Sequence, residues 1–226
     1  MKRFLVVCFV AGLLLSAGCG DDDGIWGPPP GTTTDYYPIA LGSSWQYDAS
    51  GTKILTTSDT LDISGTMSRE VIADTMTVDS IAVLETRSEW FLVYVSRASG
   101  DTAEISRGSD TIWVNDADTL VTYYWALAEG SRPDTLLVLP PEVGTTWQSR
   151  SEGPRTAIVS SVSESVDVPA GGYDDCALVE ESSASAPRSS WKYYYASGTG
   201  EVQQIEHAEA LDWSQDLTYG LTVYTP

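Results

Sequence analysis

The residues able to do chemistry are few. His207 is the only histidine, and no Gly-x-Ser-x-Gly sequence accompanies it, so a serine-hydrolase site is poorly supported. Three cysteines and one histidine leave little from which to build a zinc site. Carboxylates number 32, so neighbours such as Asp174-Asp175 or Glu180-Glu181 arise from composition and do not single out an acid–base pair. Asn115-Asp116-Ala117-Asp118 lacks the glycine and distal glutamate of a calcium loop and reads as a hairpin turn. Gly198-Thr199-Gly200 lies between strand patterns instead of opening a helix, which makes it a turn and not a phosphate cradle. No catalytic residue, metal ligand or cofactor is predicted. The aromatic residues are the remaining lead: 8 Trp and 12 Tyr against 3 Phe favour rings with a polar handle, suited to interfaces and sugar stacking. Tyr123-Tyr124-Trp125 and Trp191-Lys192-Tyr193-Tyr194-Tyr195 would place rings on both faces of a strand, one face in the core; packing or strand-capping is the first reading of the other, and a solvent-exposed platform the second.

The charge balance narrows the partners. Lys and Arg total 12 against 32 Asp and Glu, a net charge of −20. Such a surface repels nucleic acid and anionic lipid, and no basic patch exists to release counterions. It also keeps a protein soluble. At 226 residues and 42% hydrophobic content, the chain can bury a substantial core without disulfide help.

The N-terminus supplies an address. Lys2 and Arg3 precede an apolar stretch, Phe4 to Leu15, that is too short to span a bilayer and reads as a cleaved signal. It ends Leu14-Leu15-Ser16-Ala17-Gly18-Cys19, which resembles the lipobox of bacterial lipoproteins, with Ser16 where that family usually has leucine. The resemblance implies cleavage between Gly18 and Cys19, acylation of Cys19, and the membrane as partner, held through that lipid. Gly20 stands where aspartate would favour the inner membrane in Gram-negative relatives, so the outer membrane is expected. Residues 1–18 are then the signal, and 19–34 a lipidated cysteine with a flexible, Gly-, Pro- and Asp-rich tether of roughly 45–50 Å full reach at about 3.3 Å per residue. Asp21 to Asp23 read as a solvated spacer. Removal of Lys2 and Arg3 leaves 10 basic residues against 32 acidic ones, a net of −22. Cys8 leaves with the signal, so Cys176 remains as a lone thiol, expected to be buried among Ala177, Leu178 and Val179.

Past the tether, residues 35–226 form a single predicted all-β domain. Apolar residues alternate with period two, as in Leu217, Tyr219, Leu221 and Val223, or in Ile158, Val162, Val166 and Val168 with Ser161, Ser163, Ser165 and Asp167 facing water. Turn signals recur at hairpin intervals, so consecutive strands should pair antiparallel. About a dozen strands are expected in a curved sheet, a sandwich or an open barrel. An internal repeat is also predicted. Pro38 to Gln46 matches Pro140 to Gln148, sharing Pro, Gly42/Gly144, Trp45/Trp147 and Gln. Ile81 to Glu85 echoes Cys176 to Glu180, Arg87 to Trp90 echoes Arg188 to Trp191, and Gly100-Asp101 echoes Gly200-Glu201. These give halves at about 36–107 and 138–207, an inserted hairpin at 110–135 and a closing strand at 215–226. In the Pro-x-x-[Leu/Val]-Gly-x-x-Trp element, proline fixes φ, glycine permits the bend and tryptophan plugs the core, a structural role.

The folded part also resembles a group of poorly characterised bacterial lipoproteins. Their domain opens Tyr-x-Pro-Leu-x-x-Gly-Asn-x-Trp-x-Tyr, here Tyr36-Tyr37-Pro38-Ile39 through Gly42, Trp45 and Tyr47, with Ser43 for asparagine. A Val-Pro-Ala-Gly-x-Tyr/Phe-x-x-Cys segment stands as Val168 to Cys176, and a Tyr-Ala-x-Gly-Val-Gly-x-Val ending as Tyr195 to Val202, with Thr199 for valine and the turn glycines at Gly198 and Gly200. The resemblance implies an all-β envelope lipoprotein and brings no catalytic residue. Three functional readings follow in order: a non-enzymatic envelope domain serving structure or binding, a carrier of apolar lipid-like ligands, and a carbohydrate-binding surface of Tyr/Trp platforms. The protein, glycan or lipid it would meet in the envelope is not identified by sequence.

Overall fold

The structure, a computed structural model, describes residues 35–117, 119–151 and 153–226. Gly18, Cys19, the signal, the tether and Asp118 lie outside the described residues. Short polar residues alternating with β-branched and aromatic ones form strands and, among the described residues, no helix. Twelve strands follow one another: β1 (Ser44–Leu55), β2 (Thr60–Met76), β3 (Ala82–Ser96), β4 (Thr102–Ala117), β5 (Leu120–Tyr124), β6 (Asp134–Val138), β7 (Thr146–Arg150), β8 (Arg155–Val168), β9 (Gly171–Ser183), β10 (Ser190–Ala196), β11 (Gly200–Glu209) and β12 (Trp213–Thr225). All pair antiparallel in one sheet of order β6-β5-β4-β3-β2-β1-β12-β11-β10-β9-β8-β7. The sheet curls into a nearly closed barrel, which decides among the three all-β architectures expected. Its seam lies between β6 and β7, bridged by Trp147 Nε1 donating to the Thr135 carbonyl at 3.1 Å and Ser151 N donating to Asp134 Oδ1 at 2.6 Å.

Such tight curling needs places without a side chain. A Cβ on Gly51 would collide with the Asp216 carbonyl, and one on Gly65 with the Phe91 carbonyl. Both glycines occupy inward positions, beside Leu217 and Leu92 respectively, where adjacent backbones approach most closely.

Inward side chains make two apolar clusters. One gathers Trp45, Tyr47, Leu61, Ile63, Leu92, Tyr94, Cys176 and Leu221; the other gathers Tyr37, Val114, Val121, Leu137, Val159, Val179 and Tyr195. Each fully buried aliphatic side chain here contributes about 1.5–3 kcal/mol relative to exposure.

Two of the expected faces are interrupted by bulges. In β12 Thr222 has no partner of its own, because Gln46 pairs with Val223 and Tyr47 with Leu221. The extra residue flips the parity beyond it, so Tyr224 stacks on Trp45 while Val223, expected inward, is exposed. In β8 the register shifts after Val159, so Ala157 and Val159 point inward before the bulge and Val166 after it. Ile158, expected on the core face, is therefore exposed.

The repeat is also revised. The first two echoes relate β1 to β7 and β3 to β9, strands six apart that run the same way. The last two relate β3 to β10 and the turn before β4 to the turn before β11, strands seven apart that run in opposite directions. Four echoes cannot then belong to one repeating unit. Within 110–135 the ends of β4 and β5 do form a hairpin, Trp113 opposite Tyr124 to Ala117 opposite Leu120, but β4 begins at Thr102, before the boundary set near 107.

Candidate functional site

The Pro-to-Trp elements set the frame. At the first, Gly42 N donates to Val71 O (3.0 Å), Val71 N to Ser43 O (2.9 Å) and Ser43 N to Ala40 O (2.9 Å). At the second, Gly144 N donates to Val159 O (2.8 Å), Val159 N to Thr145 O (3.0 Å) and Thr145 N to Glu142 O (3.0 Å). Gly42 and Gly144 both adopt a left-handed conformation, φ +90° and +89°, which only glycine takes without strain. The prolines differ: the Leu139–Pro140 bond is cis, whereas the bond before Pro38 is not.

The two tryptophans then do different things. Trp45 is 2% exposed, and its Nε1 donates to the Thr199 carbonyl at 2.7 Å, inside the Gly198-Thr199-Gly200 turn. A Cβ on Gly200 would lie 3.4 Å from that nitrogen, and Gly198 N donates to Asp35 O at 2.7 Å. The opening and closing motifs of the sequence, more than 150 residues apart, thus meet. Trp147 is half-buried and serves the β6–β7 seam instead. The middle motif joins the same end of the barrel, where Ala170 N donates to Leu221 O at 2.9 Å and Cys176 is fully buried.

This junction aims polar groups into the barrel. A lumen of about 240 Å³ lies between the apolar clusters, touching Met67 of one and Tyr37, Tyr123 and Tyr195 of the other. Arg69, an inward residue of β2, reaches Glu201 of β11 with 3.4 Å between Nη1 and Oε2. Tyr47 donates its hydroxyl to the Glu201 backbone carbonyl at 3.0 Å. Burial works against the Arg69 charge, but Glu201 and the Tyr47 and Tyr37 hydroxyls outweigh it and hold the guanidinium well above its ordinary value. Burial first, then Glu201, lifts the Tyr195 hydroxyl well above the usual phenol range, so it keeps its proton. Three atoms in this wall, Arg69 Nε, Glu201 Oε1 and Tyr195 Oη, are buried with no hydrogen-bond partner. Leaving such a group unpaired costs about 1–3 kcal/mol.

A second ion pair completes the wall. Arg155 Nη1 lies 3.3 Å from Glu181 Oε2 and stacks over the Trp191 ring, 3.3 Å from its centroid. Tyr193 donates to the same Glu181 oxygen at 3.4 Å. A wider groove of about 740 Å³ over β1–β4 is walled by exposed Gln46, Asp48 and Glu89, whose polar groups meet water freely.

The aromatic runs mostly pack, as the first reading expects, with Tyr123, Tyr124, Trp191 and Tyr195 buried and Trp125 exposed. Among the described Trp, Tyr and Phe residues only Phe91 and Trp125 are exposed, and Trp125 packs edge-on against Tyr123. A twelve-strand barrel has a wide interior, and large rings are what fill it. His207 sits away from the lumen, 39% exposed, with Nδ1 2.7 Å from Asp216. Among the described residues no group of three His, Cys, Asp or Glu is placed to hold a metal ion. Arg69 and Glu201 were not singled out by sequence as functional. The available signal was parity: Arg69 continues the inward series of Leu61, Ile63 and Met67.

No family model matches this chain, and no curated protein matches it. Solved structures do. A protein assigned as a lipoprotein from Parabacteroides distasonis is 12% identical with a TM-score of 0.41, covering 85% of this chain and 99% of its own. A protein from Bacteroides fragilis, assigned as exported and with a YmcC-like fold, is 10% identical with a TM-score of 0.42, covering 85% of this chain and 100% of its own.

Proposed function

We propose that this chain is a lipid-anchored β-domain of the bacterial envelope that holds one small polar ligand inside its barrel and performs no chemistry on it. The observation that carries the binding reading is the lumen of about 240 Å³, whose wall combines the charged side chains of Arg69, Arg150, Asp110, Glu181 and Glu201 with aromatic rings. The apolar-carrier reading fits less well. An acyl chain would have to lie against the Arg69–Glu201 ion pair, stripping it of any polar partner. The anchor rests on the Ala17-Gly18-Cys19 sequence, and outer-membrane placement on Gly20.

Two measurements test this. Metabolic labelling with palmitate should mark the wild-type chain and not Cys19→Ser, and fractionation should place the labelled protein in the outer membrane. Native mass spectrometry of the processed protein, extracted in detergent, should show one small polar molecule per chain. A phospholipid mass in the barrel would restore the carrier reading. A bare protein mass would leave an anchored structural module.

A further inference from the structure

We propose that a groove at the mouth of the barrel, between the β5–β6 loop and the end of β7, binds a small ligand through an oxyanion group, a carboxylate or a phosphate. The site is additional to the lumen, with which it shares only the Trp125–Arg150 wall, and it stands or falls separately from what the lumen holds. The groove has a volume of about 710 Å³, within the roughly 300–1,000 Å³ of small-molecule pockets. Trp125, Ser131, Arg132, Asp134, Arg150 and Ser151 supply its ring, its charges and its hydroxyls. Local sequence builds it. β5 ends at Tyr124, and three contacts hold Trp125 just beyond it. Its Nε1 donates to Asp134 Oδ2 at 3.0 Å, its ring meets Tyr123 edge-on at 5.4 Å, and the Arg150 guanidinium lies 5.6 Å from the indole centroid. A tryptophan 49% exposed would otherwise sample several rotamers; this one is fixed with half its surface open to solvent.

Charge selects the ligand. The chain carries 32 acidic residues against 12 basic ones, so carboxylate partners abound. Lys53, Arg69, Arg97, Arg155, Arg188 and Lys192 each take one. Arg132 and Arg150 form no ion pair among the described residues, and both line this groove. The one carboxylate in the lining, Asp134, is 4% exposed and already engaged, since Oδ2 accepts from the Trp125 indole and Oδ1 from Ser151 N at 2.6 Å. A ligand therefore meets two guanidiniums and no open carboxylate. A guanidinium only donates, in a planar fork that matches two oxygens of a carboxylate or phosphate. An ammonium ligand would face like charge, and a neutral one would leave both guanidiniums without a counter-charge. The Ser131 and Ser151 hydroxyls add donors, and the Trp125 ring offers a flat apolar surface to the body that carries the oxyanion. These groups are within reach of a guest, because Trp125 and Arg132 are exposed and Arg150 is half-buried. The net negative charge of the domain opposes any anion from afar, but salt screens it beyond about 8–10 Å, whereas the guanidiniums act in contact.

The test uses the processed full chain and three probes that share a sugar ring: glucuronate for the carboxylate, glucose 6-phosphate for the phosphate, and glucose as the neutral reference. Isothermal titration at about 0.1 M salt should show at least one anionic probe binding about tenfold more tightly than glucose, and the probe that does so identifies the source of the oxyanion. Arg132→Gln should weaken that binding about fivefold or more while leaving the midpoint of urea unfolding unchanged, because Arg132 is exposed and holds no ion pair. Arg132 lies outside the lumen lining, so this loss would place the anion in the groove. Arg150→Gln should weaken binding by at least as much. Anionic probes that bind no better than glucose would overturn the site, as would anion binding undiminished in Arg132→Gln. Neither result would bear on the reading of the lumen as a ligand holder.

Discussion

Trp45 and Trp147 occupy the same place in matching sequence elements, so replacing each by phenylalanine is a controlled comparison. Trp45→Phe keeps a ring between Tyr37 and Tyr224 but deletes the 2.7 Å bond to Thr199. Thr199 is fully buried, so its carbonyl loses a donor that water cannot replace, at about 1–3 kcal/mol. The void left by the smaller ring adds about 1 kcal/mol. The expected loss is about 2–4 kcal/mol. Trp147 is half-buried and its bond to Thr135 lies at the open seam, where water can take over the carbonyl. Its loss should be about 0.5–1.5 kcal/mol. Urea titrations followed by far-ultraviolet circular dichroism would give both values, provided the m-values stay equal. Equal losses, or a larger one at Trp147, would refute the assignment of Trp45 as the buried junction and Trp147 as a seam residue.

Other consequences are as direct. Burial, then Asp174, Asp175 and Glu164, push the Cys176 thiol up to about 12, so iodoacetamide at pH 8 should label it only after denaturation; native labelling would contradict the packing. Gly65→Ala drives a methyl into the Phe91 carbonyl and should cost about 2–3 kcal/mol, whereas Gly172→Ala meets only the mobile Asp167 side chain and should cost far less in the same urea titration. Hydrogen bonds from Lys192 and then Ser160 hold the Glu180 carboxyl below its ordinary 4.5. Because the folded value is the lower one, this stabilisation is present above about pH 4.5 and fades as pH falls through the folded value. Solvent screening limits it to about 1 kcal/mol or less, and the gap between wild type and Lys192→Met should close from pH 7 to pH 3; a widening gap would reverse the sign.

Strand content and antiparallel order were legible because alternation and turn residues are local signals. Parity was legible only between bulges. Ile158 and Val223 ended on the opposite face because each expected stripe crosses a bulge, and a bulge is created by the partner strand's register, which composition does not encode. The echoes differ among themselves for a related reason. A Pro-x-x-[Leu/Val]-Gly-x-x-Trp segment specifies its own hydrogen bonds and recurs faithfully, whereas Arg-Ser-x-Trp is ordinary strand sequence and recurs without structural equivalence. The lumen was hidden more deeply. Arg69 is one of many charged residues on the chain, and only closure of the barrel brings it against Glu201 from the far side of the sequence.

The strand order has a consequence for how the chain finds its fold. Every neighbour in the sheet is consecutive in sequence except β1 and β12, which pair from Ser44 with Thr225 to Leu55 with Trp213. That one contact spans nearly the whole domain and must be closed against the entropy of everything between. Joining Pro226 to Asp35 through a short linker and opening the chain within residues 139–145 would leave every pair intact. The strands would then run β7 to β12 and β1 to β6 in unbroken order, a pure meander whose pairings are all local. Such a circular permutant should fold faster than the natural chain at similar stability, because the slowest search, for two distant ends, would have become a hairpin.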